Sequence, residues 1–451
     1  MNVILIMADS WRFDYLGCYG NDWISTPNID KFAEESIVFE NAYAEGCPTI
    51  PCRRALLTGR YTLPYSGWRR LTPEDRTLTD MLWNERIQSA LITDTSMMHM
   101  PGYGYERGFD FVRYIRGHQW DPFYRSIGHN MDTDRYHKPV WNPDYPGGQM
   151  EIPQSFFARN ELGDYLPQRQ YWKSEEDHMV AQVSKASLDY LGKLDRNIPL
   201  FFYLDSFDPH EPWDPPSVWD PELKCPYDPD YNGLEIINPV PTLIEGYLTD
   251  QEAHHIRMLY AEKITMVDRW LGKVIDRLKE TGLYDDSLII FLSDHGEPFG
   301  HREHGHGIMR KCRPWPYEEL SHIPLIIHHP EKMSGRVSAF VETVDIAPTI
   351  MDFLNLNDNA RNMQGNSLLP LMRGEQKKVK DFAITGYFNL AWSIVTDDYT
   401  YVHWLDSKES LDPQKISAMV GLGTMEEDTE IWTCTPGSVA ETPTGDELYD
   451  R

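Results

Sequence analysis

Basic residues are in short supply. Lys and Arg together number 42 against 70 Asp and Glu, giving a formal charge of −28 at pH 7. A nucleic-acid binder needs a basic face to displace counterions from phosphates, so this balance argues against such a partner. It also repels small anions, and any anion site must be reversed locally by a metal or by clustered basic side chains. Long apolar runs are missing too. None approaches the roughly 18 residues of a membrane-crossing helix, so no membrane partner is expected. The opening MNVILIMADS has neither a basic n-region nor a small-residue cleavage site. It reads instead as a first core strand, and the expected location is cytoplasmic. Cysteine is sparse, with six residues at 18, 47, 52, 225, 312 and 434. They form no CxxC motif and no His/Cys block, so reduced and mostly buried thiols are expected rather than a redox or zinc module. Internal repeats and low-complexity tracts are absent.

What is present fits a large soluble α/β unit. The 451 residues are 41% hydrophobic and 25% charged, enough for one large domain plus a smaller companion. Short apolar runs at Val3–Ala8, Ala90–Thr93, Leu200–Asp205, Ser287–Ser293, Pro324–Ile327 and Phe382–Thr385 suggest parallel strands buried on both faces. Amphipathic helices lie between them. One covers Glu252–Glu280, with Val267, Leu271, Val274 and Leu278 on one face and Thr281-Gly282 as its stop. Another covers Asp177–Leu194, with Val180, Val183, Leu188 and Leu191 inward. This alternation predicts a large doubly wound, mostly parallel sheet flanked by helices. Residues 1–375 are expected to form the catalytic α/β domain, and 376–451 a small C-terminal α+β subdomain. Residues 113–173, rich in Trp, Tyr, Pro, Asp and His with little periodicity, read as an irregular insertion. It either walls a pocket or is a plain surface excursion.

In an open parallel sheet, ligands bind beyond the carboxyl ends of the strands. Asp9 follows the first strand there, Asp294-His295 follow LIIFLS, and the loop SFDPHEPWDPP carries Asp208 and His210. Converging carboxylates and histidines make a plausible metal site, although a lone Asp after a strand is ordinarily a helix cap. The segment GCPTIPCRRALLTGR is more specific. Pro51 suits a first helical turn, which places Thr49 just before a helix N-terminus where free N–H groups favour an anion. Arg53, one turn on, can fork onto two anionic oxygens. The bland alternative for Thr49 is a simple N-cap.

Several blocks together resemble the sulfatase family: NVILIMADSWRFDYLGCYG, TPNIDKFAEESIVFENAY, TIPCRRALLTGR, YAEKITMVDRWLGKVIDRLKETGLYDDSLIIFLSDHGE, HGIMRK, and VDIAPTIMDFL followed by MQGNSLLPLMRG. They occur in family order from residue 2 to about 374. The resemblance implies an ester hydrolase of the alkaline-phosphatase-like superfamily. By position it implies that Asp9, Asp294 and His295 hold one divalent cation, that Thr49 occupies the nucleophile position of the C/S-x-P-x-R motif, and that Arg53 clamps it. His210 corresponds to the P-H-x-P histidine, which protonates the leaving group or binds an oxyanion oxygen. Lys311 corresponds to the lysine on the esterified anion.

The sequence departs from the family in four places. The nucleophile is normally a cysteine or serine oxidised to formylglycine, and threonine is not a substrate for that conversion, so no formylglycine is expected. Ser10 stands where a second aspartate usually follows Asp9. Asp294-His295 replaces Asp-Asn, which shifts the metal from calcium towards manganese or zinc, with iron also compatible. The G-K-x-H block reads TDTSMMHM, with Asp94 or Met97 in the lysine's place and Thr95 and His99 left as candidates to face the substrate. The expected activity is hydrolysis of a small anionic ester, either a sulfate or a sulfate-like phosphodiester or phosphonate monoester. The alternative is a catalytically silent anion-binding protein. His301, His304 and His306 form a weaker candidate metal tract, and Trp120, Phe123 and Tyr124 are expected to pack beneath a loop, with stacking on a substrate ring as the alternative. Asp14 is expected to anchor a turn.

Overall fold

The computed structural model describes residues 1–119, 121, 131–141, 150–300, 307–311, 316–388, 390–405 and 445–451. His301, His304, His306, Trp120, Phe123, Tyr124, Cys312 and Cys434 lie outside the described residues. The strands are β1 (Asn2–Ala8), β2 (Ile37–Tyr43), β3 (Gln88–Thr93), β4 (Phe111–Tyr114), β5 (Leu200–Ser206), β6 (Thr242–Leu243), β7 (Ser287–Leu292), β8 (Ile308–Met309), β9 (Leu325–His328), β10 (Gly335–Glu342), β11 (Ala383–Tyr387), β12 (Ala391–Val395), β13 (Tyr399–Trp404) and β14 (Glu447–Asp450). Eight of them form the main sheet in the order β10-β2-β9-β7-β1-β5-β3-β4.

β1 shows why apolar runs sit at the sheet's centre. It pairs in parallel with β5 on one side and β7 on the other. Ile4, Ile6 and Ala8 join a core packed under the long helices, whereas Val3, Leu5 and Met7 join a second core on the opposite face. Both faces are covered, so the run is continuously hydrophobic instead of alternating. The long helix Asp250–Glu280 begins with a capping box in which Glu252 N–H donates to Thr249 Oγ1 and Thr249 N–H donates to Glu252 Oε2. It ends at Gly282, whose φ of 71° suits a residue without Cβ.

The doubly wound, mostly parallel sheet is as expected, with one correction in detail. Leu325–His328 runs antiparallel to both β2 and β7. Its apolar run cannot reveal direction, because a strand buried on both faces reads alike either way. Five of the six strands expected lie in this sheet, and β2, β4 and β10 extend it to eight; β10 begins with exposed positions and lacks a continuous apolar run. Phe382–Thr385 falls instead at the start of a separate four-stranded antiparallel sheet, β11-β12-β13-β14. Of the four cysteines described, Cys47, Cys52 and Cys225 are buried and Cys18 is half-buried, all as free thiols. Among the described residues no helix is long and apolar enough to cross a membrane.

Candidate active site

Asp9 leaves the end of β1 and Asp294 follows β7, so two adjacent parallel strands deliver two carboxylates to the same sheet edge. Ser10 links them. Its Oγ donates to Asp9 Oδ1 at 2.7 Å, and its N–H donates to Asp294 Oδ1 at 3.0 Å. Ser10 adopts φ 62°, a strained conformation for a residue with a Cβ, and in it one residue orients both carboxylates. The position that lacks a family aspartate is thereby an aligning one.

His295 completes the group. Its Nδ1–H donates to the Gly296 carbonyl at 2.7 Å, which leaves the Nε2 lone pair open. That Nε2 lies 3.6 Å from Asp294 Oδ2 and 3.9 Å from Asp9 Oδ1. Burial pushes the imidazole down to about 4, so at neutral pH it is uncharged and can act as a donor atom to a metal. Burial raises the Asp9 carboxyl well above its usual range, and the neighbouring Asp294 adds to the shift. Asp9 Oδ2, wholly buried, accepts no hydrogen bond and has Arg53 Nη1 as its ion-pair partner at 3.1 Å. Two carboxylates and a neutral imidazole, with ligand atoms all within 4.8 Å of one another, fit a single divalent cation.

Thr49 is the first residue of the helix Thr49–Thr58, capped by Pro48, one position further into the helix than expected. Its Oγ1 lies 3.4 Å from His295 Nε2. Arg53, one turn on, donates from Nη1 to the Thr49 carbonyl at 3.2 Å and to Asp294 Oδ2 at 2.6 Å. The other side of its guanidinium forks onto Asp205, Nε to Oδ2 at 2.8 Å and Nη2 to Oδ1 at 2.6 Å. Thr95 enters the same group, donating to Asp205 Oδ1 at 2.7 Å.

Lys311 lies close enough to act on the charge of both Asp9 and His295. Its ammonium is held between Glu211 Oε2 at 2.6 Å and Glu297 Oε2 at 2.8 Å. His210 stacks on Phe207, and its Nδ1–H donates to the Glu211 carbonyl at 2.7 Å, leaving Nε2 free of its own backbone. Burial holds this histidine well below its usual pKa. His99 is not brought in. Its ring stacks on Tyr114, and no hydrogen bond or ion pair joins it to the other candidates among the described residues. Asp14 pairs with Arg12 at 2.7 Å within the first turn, as a turn anchor would.

Sequence reasoning missed Asp205, Glu211, Glu297 and Arg310. Asp205 and Glu211 were in view, one as the last residue of an apolar run and the other inside P-H-E-P. Nothing local in either motif indicates which cation it meets. Asp208, by contrast, leaves the expected metal group and joins a second one with Asp94 and His118. There the ammonium of Lys263 lies 2.8 Å from Asp208 Oδ1 and 3.2 Å from Asp214 Oδ1.

The sulfatase family model matches residues 1–356, and the model of the N-sulphoglucosamine sulphohydrolase C-terminal region matches 305–415. The chain belongs to the sulfatase family. This sulfatase-family chain is 27% identical over 411 residues to an arylsulfatase of Clostridium perfringens, covering 84% of this chain and 80% of the relative. It is also 27% identical over 430 residues to the multifunctional alkaline phosphatase superfamily protein PehA of Trinickia caryophylli, with coverages of 82% and 77%. In fold it resembles the crystal structure of the phosphonate monoester hydrolase of Agrobacterium radiobacter. The TM-score is 0.65 at 22% identity, covering 89% of this chain and 87% of that one. Membership makes it an ester hydrolase of a family that typically binds a divalent metal.

Proposed function

We propose that this protein hydrolyses a sulfate or sulfate-like ester, with a phosphodiester or phosphonate monoester favoured, and that Thr49 is its nucleophile in place of formylglycine. The observation that carries the reading is the position of Thr49 Oγ1, on the first turn of a buried helix and 3.4 Å from the neutral His295 Nε2. Asp9, Asp294 and His295 would hold one divalent cation, for which the imidazole favours manganese or zinc. A cation there supplies Lewis acidity to the hydroxyl and to the ester oxygens.

The chain's own residues do the rest. Arg53, fixed on Asp205 and Asp294, presents positive charge beside Thr49 and to the equatorial oxygens as charge builds on them. Thr49 Oγ1 gives up its proton and bonds to the central phosphorus or sulfur, the bond to the ester oxygen breaks as that oxygen takes up a proton, and water then gives up a proton and displaces Thr49 Oγ1, which is reprotonated. His210 Nε2 is the atom through which that proton can reach the leaving oxygen, since Nδ1 is committed to the backbone. Residues 1–375 would form the catalytic unit and 376–451 the smaller one. This division is supported by the separate hydrogen bonding of β11–β14.

The preference for phosphorus rests on the threonine, which cannot become formylglycine and so must attack directly. Kinship with both an arylsulfatase and a multifunctional superfamily protein accommodates either central atom. The test is turnover of p-nitrophenyl sulfate, p-nitrophenyl phenylphosphonate and bis(p-nitrophenyl) phosphate by manganese-loaded protein, with Thr49→Ala alongside. Turnover of a phosphorus ester that Thr49→Ala abolishes supports the reading. Turnover of sulfate alone would make the substrate assignment wrong, and full activity in Thr49→Ala would refute the nucleophile.

A further inference from the structure

Among the described residues, the cations near Thr49 are already paired. Arg53 is shared among Asp9, Asp205 and Asp294. Arg310 donates from Nε to Glu211 Oε1 at 2.6 Å and from Nη2 to Glu161 Oε2 at 2.8 Å. Lys311 is held by Glu211 and Glu297, and its N–H also donates to Glu297 Oε1 at 2.5 Å. Among the described residues, three buried cations thus face six buried carboxylates: Asp9, Asp205, Asp294, Glu161, Glu211 and Glu297. A divalent cation narrows that deficit without reversing it.

Glu211 is central to the arrangement. Its two oxygens bridge Arg310 and Lys311, and it is wholly buried. Its position is also fixed from outside the site. Glu161, on the helix Pro153–Arg169, shares Arg310 with it, and Arg310 is held at φ 68° with its Nη1 on the Pro239 carbonyl. A lysine aimed at an esterified anion would normally bring a full positive charge to it. Here that charge is cancelled before any ligand arrives, by a carboxylate next in sequence to His210.

We propose that Glu211 sets the charge of the ester the site accepts: by neutralising Lys311, it admits tetrahedral anions bearing one negative charge and excludes those bearing two. The inference rests on the anionic-ester reading above and names its substrate class. Sulfate monoesters, phosphodiesters and phosphonate monoesters carry a single charge, whereas phosphate monoesters carry two near neutral pH. A second charge on the ligand would meet Glu211 and Glu297 across Lys311 in a site with little water to screen it. Glu211→Gln keeps an acceptor for Arg310 and removes the negative charge facing Lys311, so the lysine keeps Glu297 as its one carboxylate partner among those named and the space stays filled.

The probes are benzenesulfonate and phenylphosphonate, which share a shape, differ by one charge at pH 8.5 and contain no ester to hydrolyse. Binding to the manganese-loaded full chain would be measured by calorimetry. The unmodified protein should bind benzenesulfonate at least tenfold more tightly. Glu211→Gln should shift the ratio at least tenfold towards phenylphosphonate, while Glu211→Asp, which keeps the charge, should retain the original preference. An unmodified protein that binds phenylphosphonate equally or better, or that binds neither at millimolar concentration, overturns the proposal. An unchanged ratio in a folded Glu211→Gln variant does so too. If that variant does not fold, the preference of the unmodified protein decides alone. Because neither probe reacts, failure of Thr49 as nucleophile leaves the reading of this experiment intact.

Discussion

Two groups of buried aspartates and histidine stand at the carboxyl edge of the same sheet, and they differ in what is left open. In the group of Asp9, Asp294 and His295, one carboxylate oxygen has no hydrogen bond, and the imidazole turns its unprotonated nitrogen inward. In the group of Asp94, His118 and Asp208, both histidine nitrogens are used. Nδ1 accepts from Gln119 N–H at 2.7 Å, and Nε2 faces Asp208 Oδ1 at 3.3 Å. Asp208 Oδ2 accepts from Val180 N–H at 2.9 Å, and Lys263 supplies the cation. Only Asp94 Oδ2 remains without a partner among the described residues, and burial together with Asp208 pushes that carboxyl well above its usual range. Similar residue types therefore give a metal-ready centre in one place and a self-neutralised ion cluster in the other. Both groups hold a buried cation, Arg53 in the first and Lys263 in the second, and the histidine makes the difference, with Nε2 turned inward in one and set against Asp208 in the other.

The largest expected effect sharpens the catalytic side of this contrast. Thr49→Ala should lower kcat/KM at least about 10³-fold. Manganese affinity should be unaltered, because the threonine is not in the proposed ligand set; parallel kinetics and calorimetry check both. Next in size is the structural side. Lys263→Met strands Asp208 and Asp214 in the interior and should cost about 3–5 kcal/mol in urea unfolding, the usual range for breaking a buried ion pair. A variant of ordinary stability would mean that the second group is not held together by its lysine.

The metal itself can break the comparison. One divalent cation per chain is expected by calorimetry, with His295→Ala weakening its binding about a hundredfold and His118→Ala leaving it within a few-fold. Two equivalents of similar affinity would erase the distinction drawn here. Asp205→Asn should cost about tenfold in kcat, with a smaller change in KM, because it loosens the fork that aims Arg53 and leaves the hydroxyl in place.

The smallest effect concerns a buried histidine remote from both groups. His322 is stacked between Phe13 and Tyr43, and its Nε2–H donates to the Glu40 carbonyl at 2.8 Å. Burial pushes its pKa down to about 4 from 6.5. The folded chain thus stays unprotonated where the unfolded chain takes a proton. Its contribution to stability is full above pH 6.5 and is lost as pH falls towards 4, at about 1 kcal/mol over the first unit. His322→Phe should flatten that part of the stability profile, and an unchanged slope would show that His322 is not its source.

Much of this was legible in the chain itself. Apolar runs located β1, β3, β5 and β7, because strands covered on both faces must be hydrophobic throughout. The residues just beyond β1 and β7 gave Asp9, Asp294 and His295, and the T-I-P-C-R block gave Thr49 and Arg53. The direction of β9 was not legible, since residue type does not encode strand polarity. Asp205 and Glu211 were hidden for another reason. Each earns its role from a cation 152 or 100 positions away in sequence, and nothing in L-D-S or P-H-E-P says which cation that is. Lys263 was hidden likewise, as one charged residue in a helix rich in them.

The sequence by itself determined the family, the doubly wound sheet and the identity of the candidate site groups, because these depend on local pattern and residue type. Only the tertiary structure decided which carboxylates face which cations. Charge pairing acts across space between strands and helices far apart in the chain, and in a buried site that pairing sets which group keeps an open lone pair and which stays neutral.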